Sequence, residues 1–239
     1  GYTYAEYARR GFFELVLVAI LSLGLILGLE AVTNRESKRQ FKIFNLLSSM
    51  MIVLVIIMLV AAFRRMRLYE ATFGYTELRL YVYVFMIWLG IFLAWFFFGL
   101  WRRPDRFALG ALVIVIGFVA TLNLLNPDAF IVRQNIARYR AGSDLDTLYL
   151  ESLSADAVPA LVGAMESSAG TQERISSFPC ESGDSGPAEM CPMTLSEALR
   201  AGLQDRFEDI QNDPEWRRWQ SARLSNGRAY RQLSRIFTS

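Results

Sequence analysis

The chain has 239 residues, 53% of them hydrophobic and 20% charged, with a formal net charge of +2. It contains no histidine, which excludes His-based zinc sites, Ser-His-Asp and Cys-His catalysis, and His ligation of haem or chlorophyll. The small total hides segregation: residues 1–126 hold 13 Arg/Lys against 7 Asp/Glu, residues 127–215 hold 6 Arg against 16 acids, and residues 216–239 hold 6 Arg and no acid.

Four apolar stretches fill the first half: Gly11–Leu29, Ile43–Phe63, Leu80–Trp101 and Phe107–Leu125. At 1.5 Å of rise per helical residue, a run of about 20 residues crosses roughly 30 Å of hydrocarbon. The reading is therefore an all-α polytopic membrane protein. A four-helix transmembrane domain occupies residues 1–126 and a small helical extramembrane domain residues 127–239. The first residue is Gly1, so the chain is expected to be a processed product or the later part of a longer protein, with further spans upstream.

Four spans put both ends on one side, and the rims there are more polar than helix ends require. Glu6, Arg10 and Glu14 are spaced i, i+4, i+8 and share one face of the first span. Glu14 lies about one turn inside the apolar run, where an unpaired carboxylate costs several kcal/mol, so it is expected to be paired or protonated. Arg10 is its local partner, and Arg64, Arg67 or Arg79 are candidates across helices. The connection Arg64–Arg79 adds Glu70 and Glu77, and the end of the fourth span adds Asn123, Asn126 and Asp128. Two readings stand for this rim: a polar site between helices, or an ion-pair network that locks the bundle. In the first span, Gly24 and Gly28 are spaced as small residues that let helix backbones approach, within the bundle or with a partner. In the third, Tyr81, Phe85, Trp88, Phe92 and Trp95 form one stripe, suited to helix packing or lipid contact more than to a pigment or quinone. Asn126-Pro127-Asp128 reads as an N-cap, a first-turn proline and a dipole-favoured acid, so a new helix is expected from Pro127, lying near the headgroups.

In the second half, Ser143–Leu153 reads as a short helix with Leu145, Leu148 and Tyr149 inward. A helix capped by Asp156, with Pro159 in its first turn, is expected to run to about Ser167. Residues 168–193 show no sustained periodicity and read as a loop. Thr194–Glu197 is a capping box, and Leu199, Leu203, Phe207 and Ile210 line one face of the helix after it. Asp213-Pro214 is expected to cap a last helix that holds Trp216, Trp219, Tyr230, Leu233 and Phe237, with a bend at Asn226-Gly227. On that helix Arg228, Arg231 and Arg235 share a face. They are expected to pack on the acidic region, to touch lipid phosphates, or to meet an acidic partner.

Arg/Lys counts barely orient the chain: seven on the side opposite the termini against six on the terminus side. Cys180 and Cys191 sit in a Gly-, Pro- and Ser-rich stretch, where a disulfide would staple a short irregular segment. That places the termini and the second half on the extracytoplasmic side; two free thiols in a cytosolic domain is the alternative. No metal set and no cofactor is expected. The expected partners are membrane lipids and other membrane subunits or further spans of the same precursor, not nucleic acid.

Tyr7–Leu15 (YARRGFFEL), Tyr69–Arg79 (YEATFGYTELR), Asn126–Ala129 (NPDA), Leu153–Leu161 (LSADAVPAL) and the Trp216–Tyr230 tail resemble an uncharacterised family of bacterial multi-span membrane proteins, catalogued only as a domain of unknown function. The resemblance implies a multi-pass protein of the bacterial inner (cytoplasmic) membrane and adds no catalytic residue. The first functional reading is a non-enzymatic integral membrane subunit acting in assembly, scaffolding or sensing. The second is part of a transporter or channel, with Glu14 and the Arg64–Arg79 charges along a path. A membrane enzyme acting on a lipid or glycan is a third, without an acid–base pair at defined spacing to support it.

Overall fold

The computed structural model describes residues 4–32, 38–102, 107–170, 174–179, 190–212 and 224–238. They fall into two compact units, residues 1–125 and residues 126–239.

The first unit consists of α1 (Tyr4–Val32), α2 (Lys38–Phe73), α3 (Glu77–Arg102) and α4 (Phe107–Leu124). Each packs against its neighbour in the chain. Three of them, α1 to α3, are long and apolar enough to cross a membrane, and a fourth candidate counts when α4 is taken together with the helix that follows the break at Leu125 and Asn126. The shared core is Leu15, Ala19 and Ile26 of α1, Ile52, Val55 and Leu59 of α2, and Met86, Leu93 and Phe96 of α3. Outside it, Ile20, Leu21, Leu46, Leu47, Leu109, Leu112 and Ile116 stand well exposed. So much outward apolar surface is costly in water and is matched by lipid tails, while the helices satisfy their own backbone polar groups. The chain is membrane-embedded.

Within this unit α2 departs from the expected outline. The stretch from Arg64, expected as a connection between spans, continues as helix to Phe73, leaving only Gly74–Thr76 as the turn. Nothing in Arg64–Phe73 breaks a helix; charge ends the apolar run without ending the hydrogen-bonded ladder. Gly74 does end it. Its φ of 77° is accessible to glycine at no steric cost, and its N–H donates to the Glu70 carbonyl at 2.8 Å, an αL cap.

The aromatic stripe of α3 packs on α4. Cβ atoms added at Gly110 and Gly117 would lie 2.2 Å from the Trp95 and Trp88 rings, so these glycines are the floors on which the indoles rest. Trp88 Nε1 donates to Thr121 Oγ1 at 3.2 Å, and the Phe85 ring lies edge-on to Phe118. Gly24 and Gly28, by contrast, have nothing within 4 Å of an added Cβ. They are not a packing face within the described bundle. At the opposite end of α2, fully buried Asn45 donates from Nδ2 to the Leu100 carbonyl at 2.7 Å, and Trp101 Nε1 donates to Ser49 Oγ at 2.9 Å. The carbonyl is one that the helix end of α3 leaves without an intrahelical donor.

The second unit is α5 (Pro127–Arg140), α6 (Thr147–Ser152), a 3-10 turn at Ala155–Ala157, α7 (Val158–Ser168), β1 (Arg174–Pro179), β2 (Met190–Thr194), α8 (Leu195–Asn212) and α9 (Leu224–Phe237). Asn126 caps α5 as its sequence predicts, accepting from Ala129 N at 3.0 Å with Pro127 in the first turn. The apolar face of the helix is turned inward: Ile131, Val132 and Ile136 are buried in the unit's core, where the helix packs on α7 and the 3-10 turn. The capping box forms, with Glu197 N donating to Thr194 Oγ1 and Thr194 N to Glu197 Oε2. Leu199, Leu203 and Phe207 face inward as expected.

Several boundaries differ from the sequence reading. Residues 168–193 are not all loop: β1 and β2 pair antiparallel, with Phe178 opposite Cys191 and an irregularity between Ser176 and Phe178. Pro179 and Pro192 lie in these strands, and prolines mask a strand pattern because they donate to no ladder. Asp156 does not cap α7: it lies in the 3-10 turn, which Ser154 caps by accepting from Asp156 N at its Oγ, while α7 starts from Ala157 with no side-chain cap and Pro159 in its first turn. In α6, Leu150 is buried while Leu148 is exposed, because Asp146 caps the helix and fixes its phase. The expected cap at Asp213-Pro214, with Trp216 and Trp219, lies outside the described residues. So does Cys180; Cys191 lies in β2, and no pairing of the two is described.

Candidate functional site

A cleft of about 680 Å³ opens between α1, α2 and α3, at the end where α1 starts, α2 finishes and α3 starts. Its apolar walls include Phe12, Phe13 and Leu15 of α1, Met58, Ala61, Ala62 and Met66 of α2, and Val82 and Met86 of α3. Its polar groups are Glu14, Arg65, Tyr69, Thr76 and Arg79. Arg65 lies beside Gly11: an added Cβ there would stand 3.4 Å from Arg65 Nη1, an ordinary contact. Arg79 is fixed twice. Its Cζ lies 4.4 Å from the centroid of the Tyr69 ring, a cation–π distance, and its Nη1 donates to the Gly74 carbonyl. The αL cap and the arginine therefore hold each other, and the turn delivers Arg79 to the cleft.

Of the residues expected on the polar rim, the cleft collects Glu14 and Arg79. Arg64 and Arg67 are exposed and do not line it; Glu70 and Glu77 are half-buried beside the turn. The side chains of Glu6 and Arg10 lie outside the described residues. Asn123 is exposed, with Nδ2 on the Val119 carbonyl of its own helix at 2.8 Å. Asn126 and Asp128 belong to the second unit, where Asn126 Nδ2 donates to the Asp156 carbonyl and Asp128 is buried. Arg65, not among the residues expected on the rim, lines the cleft; its signal in the sequence is the helical spacing of Met58, Ala61, Ala62, Arg65, Met66 and Tyr69 along one face of α2.

The domain of unknown function DUF4153 matches residues 1–164. The chain belongs to this family. No curated protein and no solved structure matches it. The DUF4153 match takes in every residue of the cleft and runs on through most of α7.

In the part of the chain beyond the DUF4153 match, α8 supplies one member of a polar cluster whose Asp128 is buried and whose Glu151 and Arg206 are half-buried. Ser154 donates to Asp128 Oδ2 from its N–H at 3.2 Å and from its Oγ. Arg206 donates to the carbonyls of Ser154, at 2.9 Å, and of Glu151 and Leu153. Glu151 rests on Gly202, where an added Cβ would lie 2.3 Å from its Cδ, and its Oε1 is buried without a hydrogen bond among the described residues. Burial, then the nearby Asp205, push the Glu151 carboxyl up to about 7, with Arg206 opposing. Burial lowers the Arg206 guanidinium, against the pull of Glu151, Asp128 and Asp209. This cluster clamps the α6–α7 connection to α8. Arg206 was not found from sequence because it sits at the edge of the Leu199–Leu203–Phe207 face, next in the helical rows to Gly202. On α9, Ala229 and Leu233 are buried while Arg228, Arg231 and Arg235 are exposed. Among the described residues, no group of three or more Cys, Asp or Glu side chains is arranged to hold a metal ion.

Proposed function

We infer that this DUF4153 protein is a non-enzymatic integral membrane subunit of the bacterial cell envelope, working by assembling with other membrane helices. The observation that carries the reading is the outer side of α1. Gly24 and Gly28 stand there one turn apart on an exposed face, with open space where side chains would project. Two glycines at this spacing allow a second helix to approach closely, and in lipid such packing is a main source of helix association. The exposed Arg228, Arg231 and Arg235 of α9 supply a basic contact for an acidic partner or lipid phosphates. The same reading puts both ends and the second unit on the extracytoplasmic side.

The test is a Gly24→Leu, Gly28→Leu double variant, purified in mild detergent and run on native gels. The added side chains meet nothing in the chain itself, so the fold should survive while a larger wild-type species is lost. A wild-type chain that runs alone, or a variant that keeps the complex, would end the proposal.

A further inference from the structure

We propose that the α1–α2–α3 cleft is a binding site for one anionic phospholipid, its phosphate held by Arg65 and Arg79 and an acyl chain laid along Met58, Ala61, Ala62 and Met86. Three observations bear on this. The first is size: at about 680 Å³ the cleft is in the range of small-ligand sites, which run from roughly 300 to 1,000 Å³, and far beyond what a few bridging waters fill. The second is level. Gly11 opens the first membrane-crossing segment, and Arg65 and Met66 lie within one turn beyond the apolar run of the second, Ile43–Phe63. The cleft thus straddles the depth at which hydrocarbon gives way to headgroups, the one level where a single ligand must be apolar at one end and charged at the other.

The third is charge. Two guanidinium groups and one carboxylate, Glu14, line the cavity, so its formal charge is positive and complements a phosphate. Arginine is the side chain suited to that partner, with five N–H donors in a planar fork. The Gly74 carbonyl and the Tyr69 ring engage Arg79 on the side of the turn, and one N–H on Gly74 leaves others for a ligand. The methionines add an adaptable wall that follows a flexible chain. A soluble phosphate compound would match the arginines but not these walls; a neutral lipid would match the walls but not the arginines.

The experiment uses the full chain in a neutral detergent, titrated separately with phosphatidylglycerol, diacylglycerol of the same chains, and glycerol phosphate, with bound molecules counted by native mass spectrometry. One phosphatidylglycerol per chain should be retained over diacylglycerol by about tenfold or more, the factor expected for one charge-assisted hydrogen bond made well. Arg65→Gln with Arg79→Gln should erase that preference. Ala61→Phe, which keeps both charges and fills the exposed edge of the cleft, should lower retention of both lipids, with a thermal melt confirming that the variant folds. Equal retention of the two lipids by the wild type, or unchanged retention in Ala61→Phe, overturns the proposal. Glycerol phosphate binding as tightly as the phospholipid also overturns it, since the site would then recognise phosphate alone. These outcomes are independent of whether Gly24 and Gly28 support a complex.

Discussion

Glu151 is the residue whose environment most changes its chemistry. Its carboxyl is pressed against Gly202, and burial, then the like charge of nearby Asp205, favour the protonated form, lifting it from the ordinary 4.5 to about 7. The folded chain therefore holds this proton more tightly than the unfolded one. The stabilisation it brings is fully present below about pH 4.5 and is lost as the pH rises through about 7. Melting the protein at intervals between pH 5 and pH 8 should show the melting temperature falling with pH over this window. Glu151→Gln, which keeps the shape and removes the charge, should flatten that fall; an equally steep fall in the variant would show that other groups carry it. The magnitude is moderated by solvent, since Glu151 is only half-buried. This site was not legible in the sequence, because Glu151 and Arg206 lie 55 positions apart and neither belongs to a local pattern.

At the scale of elements, the features readable in advance were those that a few neighbouring residues decide. The Asn126 cap, the Thr194–Glu197 box and the inward face of α8 each depend on spacings of three or four residues. The β1–β2 pair is not legible in the sequence because Pro179 ends β1 and Pro192 stands within β2, and prolines obscure a strand pattern. The end of α2 is not legible in the sequence because the change to polar residues at Arg64 ends the apolar run without ending the helix. The stripe of α3 was visible, but its partner was not: the sequence drew attention to Gly24 and Gly28, while the glycines that meet indoles are Gly110 and Gly117. Gly117→Leu should force Trp88 off α4, break its bond to Thr121 and lower the melting temperature, at a cost of about 1–3 kcal/mol for overpacking. Gly24→Leu, in open space, should leave the isolated chain's melting temperature unchanged. Equal effects at the two positions would mean that α3 and α4 do not pack as described.

At the scale of the whole molecule, the two units solve different solvent problems. The first buries a modest interior and turns leucines and isoleucines outward, whereas the second tucks Ile131, Val132, Leu150, Val158 and Leu233 inside and displays Arg228, Arg231 and Arg235. The split near Asn126 follows from that change in what the surface must face. In the first unit α2 is the outlier. Its 36 residues extend about 54 Å, against roughly 30 Å of hydrocarbon, and beyond the apolar run Ile43–Phe63 the helix overhangs by Lys38–Lys42 at one end and by the longer Arg64–Phe73 at the Gly74 end. Thr72 is exposed there. With Cys180→Ser and Cys191→Ser removing the native thiols, Thr72→Cys should react with a membrane-impermeant maleimide added outside intact cells. Reaction only after the cells are opened would reverse the proposed orientation. Because the overhang is stiff helix tied down by Arg79, bilayers of different thickness should slide along α2 as along a graduated rod, so the cleft at its base, not the tip, is what a thickening membrane would submerge.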